Sequence, residues 1–190
     1  VDGVRTAIPR AAWLLGIMAL GFGLSEGTAV DWSSLQVTDV AQVDTETGSL
    51  GLVAVSGSMV LIRLVGDRLV TRFGRRAVVR FGGTTAAVGY LTVTLVDALP
   101  LLLLGWALVG FGVGMIAPQV YAVAGHIGGG RVLAVVVTFG YAAFLIGPAL
   151  IGFLVTQMGI QRAMAVPAVL CVAIVALAAT MPKQDADLHR

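Results

Sequence analysis

Leu101 to Ala124 reads LLLLGWALVGFGVGMIAPQVYAVA and Val132 to Met158 reads VLAVVVTFGYAAFLIGPALIGFLVTQM, with a short segment holding His126 and Arg131 between them. Each run is long enough to cross the hydrocarbon core, for which a helix needs about 20 mostly apolar residues. No water reaches backbone groups at that depth, so a spanning segment is either a helix or a strand of a closed barrel. Barrel strands alternate apolar and polar residues, whereas these runs are continuously apolar. The expected fold class is therefore all-α, in an integral membrane protein.

Four more segments reach or approach the same length: Ala11 to Val30, Gly48 to Leu64, Ala77 to Leu95 and Ala163 to Met181. Six crossings are expected. The whole chain agrees, with 190 residues, 58% hydrophobic and 12% charged, and a mean hydropathy of +0.97, well outside the range of soluble domains. A cleaved signal peptide at Ala11 to Leu24 is a poor reading, because Glu26 stands where a small-residue cleavage site belongs. Cys171 is the single cysteine, which excludes disulfide and cysteine-based metal frameworks and makes it a small core residue.

The connecting segments alternate in charge. Arg5 and Arg10 precede the first span, and the segment after it holds Asp39, Asp44 and Glu46 without Lys or Arg. Arg68, Arg72, Arg75, Arg76 and Arg80 surround the second junction, and Asp97 stands alone at the third. His126 and Arg131 follow the fourth span, Arg162 follows the fifth, and Lys183 and Arg190 close the chain. Ten of the twelve basic residues fall in segments of one parity, with Arg63 near that side and Arg162 the exception. By the positive-inside rule those segments, and both termini, are cytoplasmic. A net charge of +2 gives no reason to expect nucleic acid.

Gly23 and Gly27, like Gly110 and Gly114, have GxxxG spacing, which suits close packing of membrane helices. The GFGVG run lacks the preceding strand of a dinucleotide loop. No nucleophile, base and orienter stand together, and there is no HExxH, no Walker loop and no cysteine pair. An enzyme is not expected, nor a cofactor, a metal or an ATP-driven step.

The stretch GDRLVTRFGRR, Gly66 to Arg76, reads as a short basic loop in which Asp67 can accept charge-assisted hydrogen bonds from arginine. It resembles the signature GxLaDRxGRR of the major facilitator superfamily, which lies between the second and third helices of each six-helix half. Leu69, Arg72, Gly74, Arg75 and Arg76 agree; Asp67 replaces the leading glycine and Thr71 the usual aspartate, as is common in the second-half copy. IGPALIG, with Gly147, Pro148 and Gly152, is similar to the GPxxGG signature of the fifth helix, with Ile151 and Ala143 at two glycine positions. SEGTAVDW is similar to a sequence at the end of the seventh helix in a fucose/proton symporter-like bacterial subgroup.

The resemblance implies half of a major facilitator fold, two inverted three-helix repeats at about 11–96 and 97–182 with a short cytoplasmic tail at 183–190. It matches the second half better than the first, and VDGVRTAIPR reads as part of a central cytoplasmic linker. The function so implied is secondary active transport of a small polar solute across the bacterial inner membrane by alternating access, as symport or antiport, with protons as one coupling ion. A second six-helix half, or self-association, would complete the cavity. The alternative is a nonenzymatic membrane protein or transporter fragment without transport of its own.

Ionisable groups inside a span are costly and usually face a cavity or a partner. Glu26 lies about 22 Å along the first helix, in the outer third of the membrane, and Asp31 is rotated from it by about 140°. Glu26 is expected to line the pathway and to take up a proton or a polar ligand group; the alternative is a hydrogen-bonded packing role. Asp31 reads as interfacial, or as a second pathway residue. Trp32 reads as an interface anchor before a sugar-stacking surface. Arg63 is four residues before Asp67 and is expected to pair with it or to snorkel. Gln119 and Tyr121 follow Pro118 in a helix that the resemblance places on the cavity, while His126 reads as a rim residue. Pro118 and Pro148, with Gly147, are expected to bend their helices. Arg63, Asp67, Arg68, Arg72, Gly74, Arg75 and Arg76 form the expected gating group.

Overall fold

The computed structural model describes residues 8–181. Among the described residues every regular element is helical: α1 (Arg10–Ala41), α2 (Thr45–Gly48), α3 (Leu50–Phe73), α4 (Arg75–Leu95), α5 (Leu99–Met158), α6 (Ile160–Ala163), α7 (Ala165–Leu177) and a closing 3-10 turn (Ala178–Thr180). Arg5, Lys183 and Arg190, and the expected tail at 183–190, lie outside the described residues.

α5 nominally contains 60 residues, and a straight helix of that length would extend about 90 Å. It does not run straight. Gly128 (φ −150°, ψ 23°) and Gly129 (φ 58°, ψ −152°) leave helical geometry, and Gly129 adopts a positive φ open to glycine at little steric cost. Tyr121 and Gly140 would stand about 28 Å apart in a continuous helix, yet a Cβ at Gly140 would collide with the Tyr121 hydroxyl. Residues 99–127 and 130–158 therefore lie side by side, as the two apolar runs predict.

Four segments are long and apolar enough to cross a membrane: Arg10–Ala41, Thr45–Phe73, Leu99–Met158 and Ile160–Thr180. α4 falls short of them in hydropathy, because Arg80, three glycines and four threonines interrupt its apolar residues.

The helices outrun the expected spans. α1 continues past Val30 to Ala41, so SSLQVTDVA is helical where a loop was expected. α3 continues past Leu64 to Phe73, and α4 begins at Arg75, so the basic stretch is two helix ends meeting at Gly74 (φ 80°) rather than a loop. Apolar content marks where lipid ends, whereas a helix continues as long as its hydrogen bonds close and its arginines reach water. The last expected span is preceded by α6, and α7 starts at Ala165, two residues beyond the expected Ala163.

Packing relies on small residues. A Cβ at Gly110 would strike the Val55 carbonyl, and one at Gly114 would meet Met59 and Ile62, so both face α3. Gly23 sits against Gly140 and Ala143, while Gly27 meets Phe144. Each GxxxG pair thus marks a close approach of two helices.

Candidate functional site

Glu26 lies halfway along α1, not near its outer end, because the helix continues eleven residues past Val30. Ser25 and Thr28 return their hydroxyls to the carbonyls of Gly21 and Leu24, at 2.9 and 2.6 Å. Glu26 is left to find a partner across the helix interface. Its Oε1 lies 3.3 Å from the Arg63 guanidinium on α3, with the two side chains 16% and 45% exposed.

This replaces the expected Arg63–Asp67 pair. Asp67 is exposed and makes no ion pair among the described residues, its backbone carbonyl accepting from the Thr71 hydroxyl at 2.8 Å. An exposed carboxylate gains little from pairing, whereas one held between apolar helices has no water to replace its partner. Arg63 therefore turns towards Glu26.

Around Glu26 the helices carry several hydroxyls. Tyr121 packs its ring edge-on at 5.5 Å against Phe22, one turn before Glu26 on α1, and sets its hydroxyl against Gly140. The Tyr90 hydroxyl donates to the Ser25 carbonyl, and the Cys171 thiol donates to Ser25 Oγ at 3.5 Å. Cys171 is fully buried, as its place in an apolar run predicts. Tyr141 is 72% exposed and escaped the sequence reading because it sits in an otherwise apolar run.

Asp31 is exposed on a different face from Glu26. Trp32 is not an exposed anchor. Its ring packs over Gly152, and its indole N–H is buried without a hydrogen-bond partner among the described residues.

The second constellation joins the basic stretch to α5. Arg75 donates to Gln119 Oε1 at 2.7 Å, and Gln119 is only 5% exposed. The first residue of α4 is thereby tied to the core of α5. Arg72 instead lies over the Phe73 ring, 5.4 Å from its centroid, and Arg68 is exposed while Arg76 is half-buried. Pro118 and Pro148 lie within helical backbone, and α5 reverses between them at Gly128 and Gly129. Gly147 packs against Leu24. The exposed His126 ring donates to the Ala122 carbonyl at 2.6 Å, consistent with a rim position.

Gln36 was hidden from sequence reasoning, which placed it in a loop. It is fully buried, donates to the Val93 carbonyl at 3.0 Å and accepts from the Trp106 indole at 2.9 Å. One side chain so ties α1 to α4 and α5. At the turn before α5, Gln161 donates to the Val96 carbonyl at 3.1 Å and to Asp97 Oδ1 at 2.9 Å.

Comparison with known proteins gives this geometry a context. The Major Facilitator Superfamily profile matches residues 11–189. An uncharacterized transporter, y4wD, of Sinorhizobium fredii is 37% identical over 155 residues, covering 80% of this chain and 41% of the relative. An uncharacterized MFS-type transporter of Yersinia pestis is 30% identical over 182 residues, covering 93% and 47%. Membrane protein MosC of Rhizobium meliloti is 31% identical over 154 residues, covering 80% and 38%. The chain thus spans less than half the length of these curated relatives. Among solved structures, the POT family transporter PepTSo superposes with a TM-score of 0.76 at 15% identity, covering 94% of this chain and 40% of that one. The inward-open xylose transporter XylE of E. coli gives 0.73 at 14%, covering 94% and 49%. These likenesses extend to the fold. With a family match across nearly its whole length, this multi-pass membrane protein belongs to the major facilitator superfamily.

Proposed function

We propose that the chain is one six-crossing half of a secondary active transporter that moves a small polar solute by alternating access. The crossings are α1, α2 with α3, α4, the two arms of α5, and α6 with α7. Residues 11–96 and 97–182 are the two inverted repeats, both termini are cytoplasmic, and the membrane is the cytoplasmic one. The observation that carries the reading is the Glu26–Arg63 pair, an acid and a base on different helices within segments apolar enough to span. Intramembrane charges of this kind mark solute and proton pathways.

Glu26, Tyr121 and Gln119 are assigned to the pathway, with Asp31 and Trp32 further along α1. Arg63 and Arg75 belong to the gating group through their contacts with Glu26 and Gln119, alongside Asp67, Arg68, Arg72, Gly74 and Arg76. A second six-helix half, or a second copy, closes the other wall. Support for that partner comes from the relatives, of whose length the chain spans less than half.

The test is solute uptake by proteoliposomes holding the chain with and without a candidate partner half, across a solute panel and an imposed pH gradient. Uptake that needs both, and that loses its pH dependence in Glu26→Gln, supports the proposal. Unchanged pH dependence in Glu26→Gln removes proton coupling from Glu26. Uptake by monomeric chain alone contradicts the half-transporter reading, and no uptake with any partner favours a fragment without transport.

A further inference from the structure

A groove of about 400 Å³ opens between α3, α4 and α5, lined by Leu69, Phe73, Ala77, Val78, Phe81 and Met115. Every lining side chain is apolar, so it offers a polar solute nothing to bind. Phe73 and Phe81 are 58% and 59% exposed, leaving much of both rings uncovered by the chain.

The sequence around the groove has a four-residue rhythm. Arg68 precedes Leu69, Arg72 precedes Phe73, Arg76 precedes Ala77 and Arg80 precedes Phe81. Residues four apart share a helix face, and adjacent residues are turned by about 100°. A row of arginines therefore runs beside the apolar row on each helix. Arg72 is drawn to the groove directly, with its guanidinium over the Phe73 ring. None of these four arginines makes an ion pair among the described residues, and Asp67 is the only acid between Arg63 and Arg80. Phe81 lies about 9 Å along α4 from Arg75, so the groove descends to acyl-chain depth from an arginine rim.

We propose that this groove is a binding site for an anionic phospholipid, its acyl chain on Phe73, Ala77 and Phe81 and its phosphate on Arg72 with Arg76 or Arg80. Charge complementarity selects the occupant: the rim carries uncompensated guanidinium groups that pair with phosphate in bidentate geometry, and basic groups beside a membrane favour anionic lipid. The assignment to the cytoplasmic leaflet rests on the orientation proposed above. Lipid retention is measured without reference to orientation or transport, so a failure of either reading is seen separately.

The experiment is native mass spectrometry of the detergent-purified chain incubated with equal phosphatidylglycerol and phosphatidylcholine. The native chain should retain phosphatidylglycerol over phosphatidylcholine by at least about fivefold, the equivalent of about 1 kcal/mol for one engaged arginine. R72Q/R76Q/R80Q should erase the preference, and A77W, which fills the groove and leaves the arginines in place, should lower phosphatidylglycerol retention by a similar factor. Equal retention of the two lipids by the native chain would overturn the proposal. So would a preference that survives the triple substitution, unchanged retention in A77W, or loss of the adduct when a second six-helix half binds, which would give the groove to protein.

Discussion

Removing Arg63 should cost more than removing both partners of its ion pair. In Arg63→Gln, Glu26 is left among apolar helices at 16% exposure without its partner, and either keeps a stranded charge or takes up a proton. Insertion scales put a charge at a helix centre at about 2.5 to 3.5 kcal/mol, and that is an upper bound because Arg63 is already 45% exposed and part of the site reaches the surface. A cost of about 2 kcal/mol is expected for R63Q. Glu26→Gln should cost only about 0 to 1 kcal/mol, because the long Arg63 side chain can carry its charge out of the apolar layer. In the double variant no charge is stranded, and stability should return to within about 0.5 kcal/mol of E26Q. The assay is reversible unfolding of the purified chain in mixed micelles, followed by far-UV circular dichroism across a detergent titration. If the two single costs simply add, the pair is not energetically coupled and the reasoning about Glu26 is wrong.

Three further outcomes follow from the packing. Gln36→Leu should destabilise the fold by about 1 to 3 kcal/mol in the same titration, because it strands the Trp106 N–H and a Val93 carbonyl in the last turn of α4. Gly110→Leu should cost about 1 to 3 kcal/mol or more, since its side chain meets the Val55 carbonyl, whereas Gly125→Leu faces open space and should cost far less. At the start of α2, hydrogen bonds from the Thr47 backbone and hydroxyl hold the Asp44 carboxyl below its ordinary value. With the folded value below the unfolded one, the cap is fully effective above about pH 4 and is lost as pH falls through the lowered value. Amide protection over residues 45–48, measured against the intrinsic exchange rate at each pH, should fall in that acidic window in the native chain and respond far less to pH in Asp44→Asn.

The membrane character and the doubling back of α5 were legible because both are written in local composition. Two apolar runs with a short segment holding His126 and Arg131 between them suffice to place the reversal near residue 128. Helix ends were not legible in the same way. Apolar content ends near Val30, but the backbone hydrogen-bond ladder of α1 runs to Ala41, so Gln36 was taken for a loop residue and its bonds to α4 and α5 went unseen. The partner of Arg63 was missed for a related reason. Local spacing favours Asp67 at i+4, whereas Glu26 lies 37 residues away in sequence, and only the packing of α1 on α3 brings it near. The family resemblance was readable from Leu69 to Arg76 because that signature is contiguous. What the arginines touch was not, since Arg75 finds Gln119 44 residues away.

Six crossings with an alternating topology are the claim on which the rest depends, and cysteine labelling tests it most directly. With Cys171 replaced by alanine, single cysteines at Arg68 and Ile127 should react with a membrane-impermeant maleimide from one side of sealed vesicles. Those at Glu46, Ala98 and Gln157 should react only from the other. Labelling of Ala98 and Ile127, or of Ile127 and Gln157, from the same side would mean that an arm of α5 does not cross, and would contradict the account.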